Sequence, residues 1–87
     1  MNFIDIAKYS NHKLIPVENK LLCPREMEVL IGLADGKITK QIGLEMHLER
    51  STVSCYVKRT RNKLGARNYM LVIPLAIKAG LLKWSEE

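Results

Sequence analysis

An 87-residue chain with 47% apolar residues, 6% aromatic residues and a net charge of +5 is long enough for one domain with a small aliphatic core and too short for a second module, so a sensor domain in the same polypeptide is not expected and the chain reads as free-standing. Two cysteines (Cys23, Cys55) and two histidines (His12, His47) have neither metal-ligand spacing nor a disulfide framework, which predicts reduced thiols and no metal. The longest apolar run, Met70 to Ile77, contains Pro74 and is far shorter than the roughly 20 residues that cross a bilayer, and Asp5 lies where a secretory signal would be apolar, so a soluble cytoplasmic protein without a membrane partner is expected.

Residues 1–20 hold a weak apolar group (Phe3, Ile4, Ile6, Ala7), then a polar run and Ile15-Pro16. They read as a mobile N-terminal extension, with room for one short helix and a boundary near residue 20. A folded domain is expected over 21–84, with 85–87 as a C-terminal tail.

A helix should start at Pro24, with Glu26 and Glu28 early, where the macrodipole favours acids, and Met27, Leu30, Ile31 and Ala34 on one face. Asp35-Gly36 ends it. Thr39 to Met46 fits a second, shorter helix. A third runs from about Ser51 to Leu64, stopped by Gly65. Val53, Val57, Thr60 and Leu64 share its inner face, while Ser51, Ser54, Cys55, Lys58 and Asn62 lie opposite. Arg50 and Arg61 flank that polar stripe on one edge, Thr52 and Arg59 on the other. Short side chains over base edges, with longer cations reaching the phosphate walls, suit a duplex groove. Tyr56 sits at the margin of the buried face, where its ring packs and its hydroxyl reaches a phosphate. Asn68 can cap a fourth helix to about Ala79, ended by Gly80, in which Pro74 should introduce a kink or a division.

Charge supports the same placement. Residues 50–67 carry Arg50, Lys58, Arg59, Arg61, Lys63 and Arg67 and no acid, so the rest of the chain sums to −1. Positive charge concentrated in one short, helix-compatible stretch is the footprint of a nucleic-acid reader, with a merely solvated basic helix face as the alternative on charge alone. No Ser/His/Asp arrangement, paired acids or cofactor loop is present, so no enzyme and no cofactor are expected.

The run Leu22-Cys23-Pro24-Arg25-Glu26-Met27-Glu28-Val29-Leu30, then Ala34-Asp35-Gly36, Lys40-Gln41-Ile42, Ser51-Thr52-Val53 and Asn62-Lys63-Leu64-Gly65-Ala66-Arg67-Asn68, closely resembles the LuxR/GerE-type helix-turn-helix domain. The resemblance covers about residues 21 to 82 and implies an all-α, four-helix domain of the bacterial cytoplasm. Its third helix would enter the major groove and its fourth often dimerises. Carried over by position, base reading falls on Ser54, Cys55 and Lys58, and phosphate contact on Lys40 and around Ser51, Thr52 and Arg59. Cys23 stands where the family usually has a capping Thr or Ser, and His47 where Gly is common. Ser54 and Tyr56 also depart from the usual residues, so the operator of a relative cannot be borrowed.

These readings predict a sequence-specific regulator of transcription that binds double-stranded DNA as a homodimer, with Leu71 and Leu75 of the fourth helix left over from the core to form its interface. A larger regulator or RNA polymerase is a further candidate partner. The alternative is an interaction module that pairs with a larger regulator without reading DNA alone.

Overall fold

The computed structural model describes residues 13–85. In chain order these form strand β1 (Leu14–Pro16), helices α1 (Pro24–Ala34), α2 (Thr39–Met46) and α3 (Arg50–Leu64), a 3-10 turn (Tyr69–Leu71), helix α4 (Val72–Lys78) and strand β2 (Leu82–Trp84). The four helices make the all-α fold expected; the two strands add a small antiparallel ladder that joins the flanks, pairing Leu14 with Trp84 and Pro16 with Leu82.

Neither α1 nor α2 has a side-chain oxygen at its N-cap; Cys23 and Ile38 hold those places. The residue three positions on closes each cap from inside the helix: Glu26 Oε1 accepts the Cys23 N–H at 2.9 Å and Gln41 Oε1 the Ile38 N–H at 3.1 Å. Pro24 occupies the first turn, where its missing donor costs nothing. At the far end of α1, Gly36 takes φ +82° and the Lys37 N–H reaches back to the Gly32 carbonyl at 3.0 Å. The α2–α3 turn has no glycine to do this, and His47 itself adopts φ 57°, ψ 42°, a left-handed conformation in which histidine is tolerated but strained. Its turn folds tightly onto Gly43: the Leu48 N–H donates to the Gly43 carbonyl at 2.8 Å, and a Cβ on Gly43 would lie 2.7 Å from the Leu48 oxygen.

Buried apolar residues form two clusters. Val29, Ile42, Val53 and Val57 join α1, α2 and α3, with Leu33, Met46, Leu48 and Tyr56 packed around them. Leu14, Leu22, Leu30, Ala66, Val72, Ala76, Leu81 and Leu82 join α1, α4 and both strands. Adjacent residues Val29 and Leu30, each fully buried, commit α1 to both clusters at once.

Three expectations need correction. Residues 14–17 are not part of a mobile extension: Leu14 is buried, and the Val17 N–H donates to the Leu81 carbonyl at 2.9 Å. The apolar group Phe3 to Ala7 lies outside the described residues. The fourth helix does not run from Asn68, whose side chain makes no cap bond; a 3-10 turn comes first and α4 starts at Val72, which puts Pro74 in its first turn, where no i→i−4 donor is required. Finally, Leu75 is half-buried against the second cluster rather than left over, so only Leu71 of the two leucines is exposed.

Candidate nucleic-acid interface

The third helix has one greasy and one wet side. Val53 and Val57 are buried, and Thr60, 1% exposed, satisfies its hydroxyl by donating to the Tyr56 carbonyl at 2.9 Å. Arg50, Ser51, Ser54, Cys55, Lys58, Arg59 and Asn62 are exposed, and Thr52, Tyr56 and Arg61 are half-exposed at the margins. The fifteen-residue helix ends on Gly65, φ +68°, with the Ala66 N–H returned to the Arg61 carbonyl at 3.0 Å. Both faces are therefore fixed by backbone and core.

The cations divide into two groups. Lys63 Nζ donates to Glu26 Oε1 at 2.6 Å, across from α3 to α1. Glu26 is 1% exposed. Burial alone would raise its carboxyl, but the hydrogen bonds from Lys63 and from the Cys23 N–H, with the ammonium charge, outweigh burial and hold it below its ordinary value of 4.5. Lys63 is thus occupied in holding α3 on α1. Among the described residues, no ion pair engages Lys40, Arg50, Lys58, Arg59, Arg61 or Arg67, so their charges face solvent uncompensated. Arg59 is steered differently, with its guanidinium carbon 5.5 Å from the centre of the Tyr56 ring, a cation–π contact that keeps it along the helix wall. Tyr56 is itself anchored on the cluster beneath.

All the sequence-predicted groove residues except Lys40 thus sit on one helix, and Lys40 is exposed in the first turn of α2, which packs against α3. Two exposed features were not singled out as site residues from the sequence. Arg67, just beyond α3, is exposed and unpaired, and its inclusion in the basic run was the signal. The apolar surface at the start of the fourth-helix segment is centred on Tyr69 and Met70, 51% and 83% exposed, beside Leu71. The described residues hold no cluster of His, Cys, Asp and Glu suited to a metal, and no helix long and apolar enough to cross a membrane.

Residues 20–76 match the family of bacterial regulatory proteins called the luxR family. The transcriptional activator protein SolR of Ralstonia solanacearum is 34% identical over 70 residues, 80% of this chain and 30% of SolR. The transcriptional activator protein ExaE of Pseudomonas putida is 37% identical over 62 residues, 71% of this chain and 29% of ExaE. The chain spans less than a third of the length of either relative. No solved structure is a significant match. With the match extending from the approach to α1 through most of α4 and enclosing the whole of α3, the chain belongs to the LuxR family of bacterial regulatory proteins, which are regulators and not enzymes, and carries that family's DNA-binding domain.

Proposed function

We propose that this chain is a sequence-specific, double-stranded-DNA-binding regulator of transcription that works as a homodimer, with α3 in the major groove. The observation that carries this reading is the division of α3: a buried face locked by valines and Thr60, and an exposed face on which short polar side chains lie between cations free of ion pairs. Ser54, Cys55 and Lys58 read base edges, Lys58 being long enough to donate to a guanine O6 or N7. Lys40, Arg50, Arg59 and Arg61 neutralise phosphates, helped by hydrogen bonds from Ser51, Thr52, Tyr56 and Asn62. The second protomer pairs through the exposed Tyr69, Met70 and Leu71, with Leu75 backing them from the core side, which would set two recognition helices on half-sites about one duplex turn apart.

The test is a selection of bound duplexes from a random pool with the purified chain, repeated for two variants. Lys58→Ala should lose preference at one base position at a cost of about 1–3 kcal/mol on the best site, whereas Arg59→Ala should weaken all duplexes alike and flatten the salt dependence by about one counterion. An unchanged motif for Lys58→Ala removes the base-reading assignment. Failure of the chain to enrich any duplex removes the reading.

A further inference from the structure

Behind α1, on surface to which α3 contributes nothing, two open hollows of about 380 and 310 Å³ meet at Pro16 and Met27, which line both. Side by side across these two residues, they make up a two-part trough bounded by β1, the following loop, α1 and α2. Its floor is apolar and rich in soft side chains: Met27 and Ile31 of α1 and Met46 of α2 lie half-buried along it. Flexible thioethers of this kind repack around differing apolar partners. Its rim is acidic, with Glu18, Glu28, Asp35 and Glu45 all exposed around the two hollows. Lys37 lies 2.8 Å from Glu45, and Arg25 only 3.7 Å from Glu28; with both set against them the rim still carries an excess of carboxylates. Positive charge is gathered on α3, so the molecule is electrically two-sided.

We infer that this trough docks a short basic amphipathic helix of another protein, its apolar stripe on Met27, Ile31 and Met46 and its cations against Glu18, Glu28, Asp35 and Glu45. An apolar floor with a charged rim is the arrangement that receives an amphipathic helix by laying its apolar face inward, and the sign of the rim selects a basic one and rejects an acidic one. No residue of the DNA-reading face takes part, so the inference stands or falls independently of that reading.

The experiment uses the full chain with its methionine methyls labelled with carbon-13 and followed by NMR. The probe is a synthetic peptide of leucine and lysine, about 14 residues or four helical turns long, with leucines at helical spacing. Saturable movement of the Met27 and Met46 methyls is expected, with Met70, on the 3-10 turn and 83% exposed, left unmoved as the internal reference. Charge reversal at two exposed rim sites, Glu18→Lys with Asp35→Lys, should weaken the peptide by at least about fivefold. A peptide with the same composition but no helical period, or one with glutamate in place of lysine, should not bind. Equal binding of either control overturns the inference, as does movement of Met70 in place of Met27 and Met46. So does movement of Met27 and Met46 on diluting the chain alone, which would make the occupant a second copy, or on deleting residues 1–12, which would make it the chain's own N-terminal segment.

Discussion

The cluster beneath α3 is built by three consecutive helices and the tight turns between them, whereas the cluster beneath α4 is assembled from both flanks of the described chain, with Leu14 and Leu22 meeting Leu81 and Leu82. The first fixes a pose with short-range contacts: Gly43, the Leu48 carbonyl and Val53 determine where α3 leaves α2. The second holds most of the buried aliphatic residues, and it depends on pairing segments at the two flanks of the described chain. The pose of α3 and the cohesion of the two flanks are thus separated, with α1 belonging to both clusters and the Glu26–Lys63 pair tying α1 to α3.

That division can be broken in four places. Leu82→Ala, emptying a site 2% exposed, should have the largest effect, a loss of about 2–5 kcal/mol in denaturant unfolding, yet the duplex motif selected by the remaining folded protein should be unchanged. An altered motif would mean that the flanks help to aim α3. Gly43→Ala should do the opposite. Its new methyl meets the Leu48 oxygen at 2.7 Å, backbone that yields only if the α2–α3 turn opens, so a loss of about 1–3 kcal/mol should come with a disproportionate loss of duplex affinity under conditions where the protein is still folded.

Lys63→Met should cost about 2 kcal/mol by leaving Glu26 with one hydrogen bond fewer in a buried place, without changing the salt dependence of duplex binding, because Lys63 is spoken for within the fold. The same pair sets an acid sensitivity. Since the Glu26 carboxyl is held below 4.5 in the folded state, its contribution is present above that value and is lost as the pH falls through the lower, folded one. Unfolding curves between neutral pH and about 3 should therefore fall more for the wild type than for Glu26→Gln, and parallel curves would remove the pair from the account. The smallest effect is a gain. His47→Gly should stabilise by about 1 kcal/mol by relieving the left-handed backbone, measured as a raised denaturant midpoint, and a loss there would mean that the imidazole itself contributes.

How much of this was legible in the sequence depends on range. Helices α1, α2 and α3 are announced by periodicity over four residues and by punctuation at Pro24, Gly36 and Gly65, all local signals. The polar stripe of α3 follows from the same periodicity, and so does the placing of Thr60 on the buried face. The β1–β2 ladder has no such signal: each strand is three residues long, one contains Pro16, and neither lies near the other in sequence. Only the leucines at 14, 81 and 82 hint at burial, without saying against what. Pro74 pointed to a division of the fourth helix, but placing that proline in the first turn of α4 required the 3-10 turn to be seen, and with it went the expectation that Leu75 is free. Among the cations, the run around α3 was plain; that Lys63 is drawn back to Glu26 while its neighbours are not depends on the crossing of α1 and α3, which sequence alone does not give.

The ladder that joins the flanks also sets how the domain responds to force. Lys13 and Ser85 lie side by side at one end of it, with the Ser85 N–H donating to the Lys13 carbonyl at 2.7 Å and the Lys13 N–H to the Ser85 hydroxyl at 3.1 Å. Tension that pulls these two residues apart acts across the strands and loads the bonds one after another, as in opening a zip, instead of shearing them all together. The clip should therefore open at low force, drawing Leu14 and Leu82 from the core before the helices beneath α3 feel any load.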